Sequence, residues 1–213
     1  MKDSIRPYKL GSLVIAAAII YAASFRQLLQ AWLPKDYSDL ITIGTFVIFY
    51  RALIEVYERW VWSYVHPKLY FGGFWGYSLL NNTTQRKQIG TFQVTQRGFE
   101  VGVPQGHVWT YETQNLVIAD RGGRWESEVS FITENRLFVL FTMESKEPRT
   151  GSPQVMLYRG ILNLHASKSS ELVGRFYDLD DRVGHWGEVI ARRLPGINSY
   201  SDAPVAARKM FKP

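Results

Sequence analysis

The sequence predicts a membrane-anchored, mainly β protein, in which two N-terminal transmembrane α-helices precede a compact antiparallel up-and-down β-barrel of roughly eight strands. Three observations predict this class. Residues 1–66 contain two long apolar runs separated by a short polar segment. After Pro67 the hydrophobic pattern changes from a helical period to a period of about two. The 213 residues include no cysteine, which excludes a disulfide framework and a cysteine-ligated zinc site.

The two predicted helices cover residues of about 10–33 and 40–64. The run from Leu10 to Phe25 carries no charge, and a helix that continues to Leu33 is long enough, at a rise of ~1.5 Å per residue, to cross a bilayer. The segment from Pro34 to Asp39 is the predicted turn, and a second apolar run begins at Leu40. We therefore predict a hairpin of two membrane helices.

The flanking charges and aromatic residues predict the orientation of this hairpin. The first nine residues carry three basic side chains and one acidic side chain, so the positive-inside tendency places the N-terminus in the cytoplasm. Two crossings return the chain to the cytoplasm, and Trp60, Trp62 and Tyr64 are typical of the membrane interface there. A cleavable signal peptide is the alternative, because Ala22-Ala23-Ser24 resembles a cleavage site.

Two ionisable residues of the second helix, Arg51 and Glu55, lie where a charge is costly. Because they are four residues apart and share a helix face, one interpretation is an internal ion pair near the cytoplasmic interface. The other interpretation is a polar contact between protomers, with the small residues of the first helix allowing close packing. The sequence leaves both open.

From Lys68 onward, ten short runs have strand-like alternation and are separated by turn-forming residues such as Asn81-Asn82, Arg97-Gly98 and Glu134-Asn135. The runs are Phe74 to Leu80, Ile89 to Gln96, Phe99 to Val103, His107 to Tyr111, Asn115 to Ala119, Arg124 to Ile132, Arg136 to Met143, Gln154 to Leu164, Glu171 to Asp178 and His185 to Arg193. Some neighbouring runs belong to one bent strand, which leaves about eight strands, enough to close a barrel without exposed edges. A β-sandwich is the alternative fold.

Three domains follow from these patterns. Residues 1–66 form the transmembrane hairpin, and residues 67–194 form a soluble ligand-binding barrel, because their strands lack the alternation and aromatic girdles of a membrane-spanning barrel. Residues 195–213 are rich in Gly, Ser, Pro and basic residues and are predicted to be a flexible basic tail that can touch anionic lipid.

Neither enzymatic nor metal-dependent chemistry is predicted. The sequence contains no phosphate-binding glycine loop, no pair of histidines four residues apart and no nucleophile elbow. The acidic cluster from Asp178 to Asp181 begins like a calcium loop, but Arg182 and Val189 occupy positions where that loop needs an oxygen ligand and its closing glutamate. We therefore expect no catalytic residue, no metal and no cofactor.

The predicted strands combine aromatic residues with arginines, which suits a ligand with rings that stack and phosphates that pair with guanidinium. The predicted ligand-binding residues are Trp75, Tyr77, Tyr158, Arg159, Arg175 and Tyr177, with Trp109, Tyr111, Arg124 and Trp125 as further candidates. Alternation places Tyr158 and Arg159 on opposite faces, so without a bulge only one of the two faces the ligand. The alternative is an ordinary aromatic core with solvated arginines.

Two motifs carry a resemblance to known proteins. Gly73-Phe74-Trp75-Gly76-Tyr77 resembles the glycine-x-tryptophan opening strand of lipocalin-like barrels. Gly174-Arg175-Phe176-Tyr177-Asp178, followed by Gly184 and Arg192, resembles the closing strands of the SMODS-associating two-transmembrane, β-strand-rich effectors of CBASS anti-phage defence. The order of a basic N-terminus, two membrane helices, a tryptophan-led barrel and a short tail is similar over the whole chain.

This resemblance implies an effector in the bacterial inner membrane, with its N-terminus and barrel in the cytoplasm. A partner nucleotidyltransferase makes a cyclic oligonucleotide, usually a cyclic dinucleotide, which the barrel binds. Binding then causes oligomerisation in the lipid bilayer, membrane disruption and abortive infection. No DNA or RNA partner is expected.

Two alternatives stay open. A membrane-tethered lipocalin-like carrier of a fatty acid or other apolar ligand predicts an aliphatic interior largely free of arginine. A structural anchor that only docks a partner protein predicts no internal cavity.

Overall fold

The computed structural model describes residues 7–82, 85, 87–110, 123–145, 156–168, 170–179 and 185–211. The chain divides into two compact units, Met1–Pro67 and Lys68–Pro213. The first unit is helical and the second contains all the strands. We refer to them as the helical unit and the barrel unit.

The helical unit contains helix α1, Pro7–Gln30, and helix α2, Lys35–Val56, which continues through a π-helical segment, Tyr57–Val61, into a short helix α3, Trp62–Val65. The predicted turn at Pro34–Asp39 is wrong, because α2 begins at Lys35 with Pro34 as its N-cap. The proline ring fixes φ, here −54°, and Asp36 lies in the first turn, where the helix dipole favours an acid.

Among the described residues, one helical stretch is long and apolar enough to cross a membrane. It is Lys35–Val65, with 31 residues, and an 18-residue segment of it has a mean hydropathy of 1.6. The part of α1 whose side chains are described, Ile15–Gln30, is a shorter apolar helix. An apolar helix near the N-terminus is therefore present, while a membrane hairpin of two helices stays a prediction.

Contacts between α1 and α2 combine an ion pair with stacked rings. Arg26 Nε lies 2.8 Å from an Asp39 carboxylate oxygen, and the rings of Tyr21 and Phe49 stack with centroids 4.4 Å apart. Near the other end of α2, Arg59 Nε lies 3.4 Å from a Glu55 carboxylate oxygen. Glu55 therefore has a cationic partner one turn after it, while the predicted partner, Arg51, lies one turn before it. The role of Arg51 stays open.

The barrel unit is a closed, antiparallel, eight-stranded barrel in which each strand pairs with its neighbours in sequence and β1 pairs with β8. This confirms the predicted up-and-down barrel and excludes the sandwich. The strands are β1 Gly73–Asn81, β2 Lys87–Arg97, β3 Glu100–Thr110, β4 Gly123–Thr133, β5 Arg136–Ser145, β6 Met156–Lys168, β7 Glu171–Asp178 and β8 Trp186–Arg193.

The two predicted runs on either side of Pro104 are one strand, β3. The β2–β3 register shifts there, since Gln93 pairs with Gln105 but Thr95 pairs with Gly102. An extra residue on β3 makes a bulge, which is one of the few strand positions that accept a proline. The candidate strand from Asn115 to Ala119 lies outside the described residues.

One end of the barrel is closed by packed side chains. Trp75 is buried there, and its Nε1 donates a hydrogen bond of 2.7 Å to the Phe71 carbonyl oxygen. The Arg193 guanidinium lies 5.0 Å from the centre of the Trp75 ring and donates a 2.9 Å hydrogen bond to the Tyr70 carbonyl oxygen. A cation–π contact and two hydrogen bonds to backbone carbonyl oxygens therefore close this end, which we call the closed end, and within the described residues the buried Arg193 Nε has no hydrogen-bond partner.

The predicted flexible tail is wrong for much of residues 195–213, because Ala203–Met210 form helix α4 against the outer face of β1 and β2. The contact is a second hydrophobic core, made by Phe74, Ile89, Leu194, Ala203, Ala207 and Phe211. A Cβ atom at Gly76 would lie 3.0 Å from the Ala207 Cβ, so the glycine and the alanine together allow the helix to approach the sheet closely. The small residues that suggested flexibility are the ones that permit this contact.

Replacing Ala207, which is fully buried, with arginine should force α4 off the barrel wall. We expect Ala207→Arg to lower the free energy of unfolding by about 1–3 kcal/mol, as for other overpacked sites. Val205→Arg is the matched control, because Val205 lies on the same helix with half of its surface exposed (51%). Thermal unfolding of the detergent-solubilised chain, followed by circular dichroism, measures both variants, and equal melting temperatures would contradict the described packing of α4.

Candidate functional site

The two ends of the barrel differ in their connections. At the closed end β2 and β3 are joined through Gly98 and Phe99, and β4 and β5 are joined through Glu134 and Asn135, both with positive φ. At the opposite end, the connections between β3 and β4, β5 and β6, and β7 and β8 run through segments outside the described residues. We call this opposite end the mouth.

A cavity of about 80 Å³ lies inside the barrel on the mouth side. Its wall is mostly apolar and aromatic, with a few polar groups. The lining residues are Tyr77, Leu79, Gln88, Val108, Trp125, Phe141, Met143, Tyr158, Arg159, Leu162, Phe176, Asp178 and Val189.

Four aromatic residues of this wall each lie directly opposite a glycine on the neighbouring strand. The pairs are Tyr77 with Gly90, Trp125 with Gly106, Phe141 with Gly160 and Phe176 with Gly187. They occupy four alternate strand pairs, β1–β2, β3–β4, β5–β6 and β7–β8, and we call them the aromatic–glycine belt. A Cβ atom built on any of the four glycines would overlap the ring of its partner.

The belt explains why the cavity exists. A directly opposed pair of residues has Cβ positions only ~4.5–5.5 Å apart, so a ring fills the lumen unless its partner leaves space on the wall. Each glycine leaves that space, and the ring lies over the neighbouring strand instead of across the barrel axis. Glycine inside a strand often marks a close approach of this kind.

The polar atoms of the belt are bonded within the wall. The Tyr77 hydroxyl donates to the His107 carbonyl oxygen at 3.1 Å and accepts from Trp125 Nε1 at 3.3 Å. Burial raises the pKa of Tyr77 far above its usual range, so its hydroxyl keeps its proton at neutral pH. The belt therefore presents carbon and ring faces to a ligand.

Polar groups are placed near the mouth. Gln88, Tyr158 and Asp178 lie on the inward-facing positions of β2, β6 and β7 and are partly buried. Arg159 also borders the cavity, but it occupies an outward-facing position, with 62% of its side chain exposed and its Nε 3.3 Å from a Glu128 carboxylate oxygen. The mouth thus offers an amide, a hydroxyl and a carboxylate inside and a guanidinium outside.

Of the six predicted ligand-binding residues, the structure brings Tyr77, Tyr158 and Arg159 to the cavity. Trp75 is a core residue of the closed end. Arg175 and Tyr177 face outward, because alternation along β7 places Phe176 and Asp178 inside.

The outward pair belongs to a separate surface group. Tyr177 is opposite Trp186 on β8, and the Arg175 guanidinium lies 5.3 Å from the centre of the Trp186 ring. Among the further candidates, Trp125 lines the cavity and Arg124 is exposed on the outer face. Tyr111 lies outside the described residues, as does the side chain of Trp109.

Four cavity residues were not predicted from the sequence, namely Phe141, Phe176, Gln88 and Asp178, and neither were the four belt glycines. The available signal was glycine within otherwise regular strands, which indicates close approach by a large neighbour. No group of three or more His, Cys, Asp or Glu side chains that could hold a metal lies in the described part of the chain.

Gly106→Ala should displace the Trp125 ring from the wall and disturb its hydrogen bond to Tyr77. We expect a loss of about 1–3 kcal/mol in unfolding free energy and a changed tryptophan emission spectrum. Gly102→Ala on the same strand is the control, because its Cβ would meet only the Thr95 hydroxyl oxygen, at 3.3 Å, and should cost less than about 0.5 kcal/mol. Equal stability of the two variants in denaturant titrations would show that the belt contact is not needed.

No model of a known protein family matches the sequence, and no curated protein matches it. Solved structures similar to the barrel include EF1p2_mFAP2b bound to DFHBI, with a TM-score of 0.41 and 9% identity over 59% of this chain and 94% of that chain. The redesigned β-barrel mFAP1 bound to DFHBI has a TM-score of 0.38 and 10% identity, over 59% of this chain and 95% of that one. The redesigned β-barrel b11L5F_LGL has a TM-score of 0.37 and 14% identity, over 59% and 91% respectively. These comparisons assign no family to the chain.

Proposed function

We propose that the barrel is the ligand-binding domain of a membrane-anchored sensor and that it takes one ring of a small molecule into its mouth. The observation that carries this proposal is the cavity with its aromatic–glycine belt and its polar rim. A barrel that only docked a partner protein would have no reason to keep its lumen open, so the cavity argues against the docking anchor.

The size of the cavity limits what can enter. Its volume of about 80 Å³ is below the ~150 Å³ of an engineered cavity that binds benzene and below the ~300–1,000 Å³ of ordinary ligand pockets. A ligand would therefore place only the leading edge of a ring inside and keep its larger part at the mouth. A nucleotide, with a flat base and a charged body, has that form.

Our specific hypothesis is that the ligand is a cyclic dinucleotide and that the chain is a CBASS-type effector. In this scheme a partner nucleotidyltransferase supplies the ligand, and the bound chains oligomerise and disrupt the bacterial inner membrane. The apolar stretch Lys35–Val65, the formal net charge of +6 and the guanidinium of Arg159 at the mouth support it. Binding by the barrel, rather than catalysis, is its role.

The second candidate function is a tethered carrier of an apolar ligand. It is favoured by the wall of the cavity, where, among the described residues, Arg159 is the one arginine and occupies an outward-facing position. The small volume of the cavity, about 80 Å³, counts against a fatty acid, because a long chain needs a long apolar tunnel.

A ligand panel distinguishes the two functions. Thermal unfolding of the full chain in detergent should be measured with cyclic dinucleotides, their linear forms and fatty acids. A ligand that binds only the folded state contributes about 2.7 kcal/mol at a hundredfold excess over Kd, which raises Tm by several degrees. We expect Tm to rise with a cyclic dinucleotide and not with its linear form. A rise in Tm with fatty acids alone would support the carrier function and contradict the sensor function.

The absence of cysteine allows a clean test of the membrane topology. Single variants Ser4→Cys, Tyr37→Cys and Ser201→Cys should be treated with a membrane-impermeant maleimide on intact spheroplasts and after lysis. With two crossings, Tyr37→Cys should be labelled from outside, while Ser4→Cys and Ser201→Cys should be labelled only after lysis. Labelling of Ser201→Cys on intact spheroplasts would contradict a cytoplasmic barrel.

A further inference from the structure

We propose that the mouth selects a ring edge with two adjacent N–H donors, as in guanine, through the carboxylate of Asp178. This inference rests on the proposed function, since it assumes that the base of a nucleotide enters the cavity. It adds the identity of that base and the residue that determines it.

Asp178 is held at the rim of the cavity. It is the last residue of β7 and follows Leu172, Gly174 and Phe176 on the inward-facing positions. Its backbone N–H donates to the His185 carbonyl oxygen at 2.8 Å, and the next N–H, of Leu179, donates to the Arg159 carbonyl oxygen at 2.8 Å. Hydrogen bonds to β6 on one side and to the start of β8 on the other therefore fix the backbone that carries the carboxylate.

The leading edge of an inserted base meets this rim. A base is attached to its sugar on one side, so the opposite side, its Watson–Crick edge, enters first. Because the cavity holds only about 80 Å³, that edge stops near the level of Gln88, Tyr158 and Asp178. The base then lies at the mouth, above the belt, and the sugar and phosphate lie beyond the rim.

The chemistry of the rim favours guanine over the other bases. A carboxylate only accepts hydrogen bonds, and its two oxygens match two parallel N–H donors. Guanine presents such a pair, from its ring N1–H and its exocyclic amine, with a carbonyl oxygen beside them for the Gln88 amide or the Tyr158 hydroxyl. Adenine and cytosine present a ring acceptor next to one amine, and uracil presents a single N–H between two carbonyl oxygens, so each leaves an acceptor facing the carboxylate.

The same charge orients the rest of the ligand. A carboxylate at the rim repels phosphate, so the phosphates must lie away from Asp178, toward the exposed side of the mouth where the Arg159 guanidinium lies. The two oxygens of a carboxylate have about four acceptor positions, so Asp178 can bind a base in addition to its existing neighbours. The negative charge of Asp178 then recognises the base, and the positive charge of Arg159, at another position of the same rim, attracts the phosphates.

The experiment is a titration of the full chain in detergent, by calorimetry, with three probes. They are cyclic di-GMP, its inosine analogue, which lacks the exocyclic amine, and cyclic di-AMP. We expect cyclic di-GMP to bind at least about tenfold more tightly than the other two, which is the scale of one hydrogen bond to a charged group. Asp178→Asn should lose about tenfold in affinity for cyclic di-GMP and should no longer distinguish it from the inosine analogue.

Glu188→Gln is the matched control, because it removes one carboxylate from an exposed, outward-facing position of β8 and should leave all three affinities unchanged. Equal binding of the wild-type chain to the guanine and inosine probes, or tighter binding of the adenine probe, would overturn the inference and leave the proposed function standing. That wild-type comparison decides the question even if Asp178→Asn does not fold.

Absence of binding by every cyclic dinucleotide would instead refute the proposed ligand. The titration is then repeated with GMP, IMP and AMP. A preference for GMP that Asp178→Asn removes would support the guanine site by itself, and no binding of GMP would overturn it as well.

Discussion

The structure depends on a constraint of space inside a small barrel. Eight strands enclose a lumen that side chains just fill, so large rings and an open lumen cannot coexist unless the rings lie along the wall. The four pairs of the aromatic–glycine belt meet this condition on alternate strand pairs. The cavity and the burial of the Tyr77 hydroxyl, which raises its pKa, follow from this arrangement.

The two halves of the barrel are filled differently. At the closed end, Trp75, Phe71 and Arg193 fill the interior, and Trp75 and Arg193 donate hydrogen bonds to backbone carbonyl oxygens. On the mouth side, the rings of the same sheet lie along the wall and leave a cavity between them. The filled closed end and the cavity therefore occupy different layers of one sheet.

The sequence predicted the number of strands and their closure well, because alternation and turn residues are local signals. It could not predict which aromatic residues face inward, since strands such as β7 carry rings on both faces and a shift of one residue reverses them. Arg175 and Tyr177 were assigned to the site for this reason, while Phe176 and Asp178 face it. The belt depends on register between strands, which is a long-range property.

The structures of helix α4 and of the start of α2 were also not predictable from local sequence. The alanines of α4 become a packing surface only because Gly76, more than a hundred residues earlier in the sequence, leaves room for Ala207. Pro34 indicated an interruption correctly, but its position as N-cap made the following polar residues the first turn of a helix. In each case the composition of the segment was not enough. The packing partner of α4 and the N-cap of α2 determined the structure.

The pairing of β1 with β8 has a consequence for how such a chain can evolve. Because β1 begins and β8 ends at the closed end, with Trp75 opposite Arg193, the chain enters and leaves the barrel away from the mouth. A gene fusion or exchange at either terminus would leave the mouth unobstructed. The barrel is therefore a transferable module that can be joined to a different N-terminal or C-terminal domain by recombination without redesign of its interior.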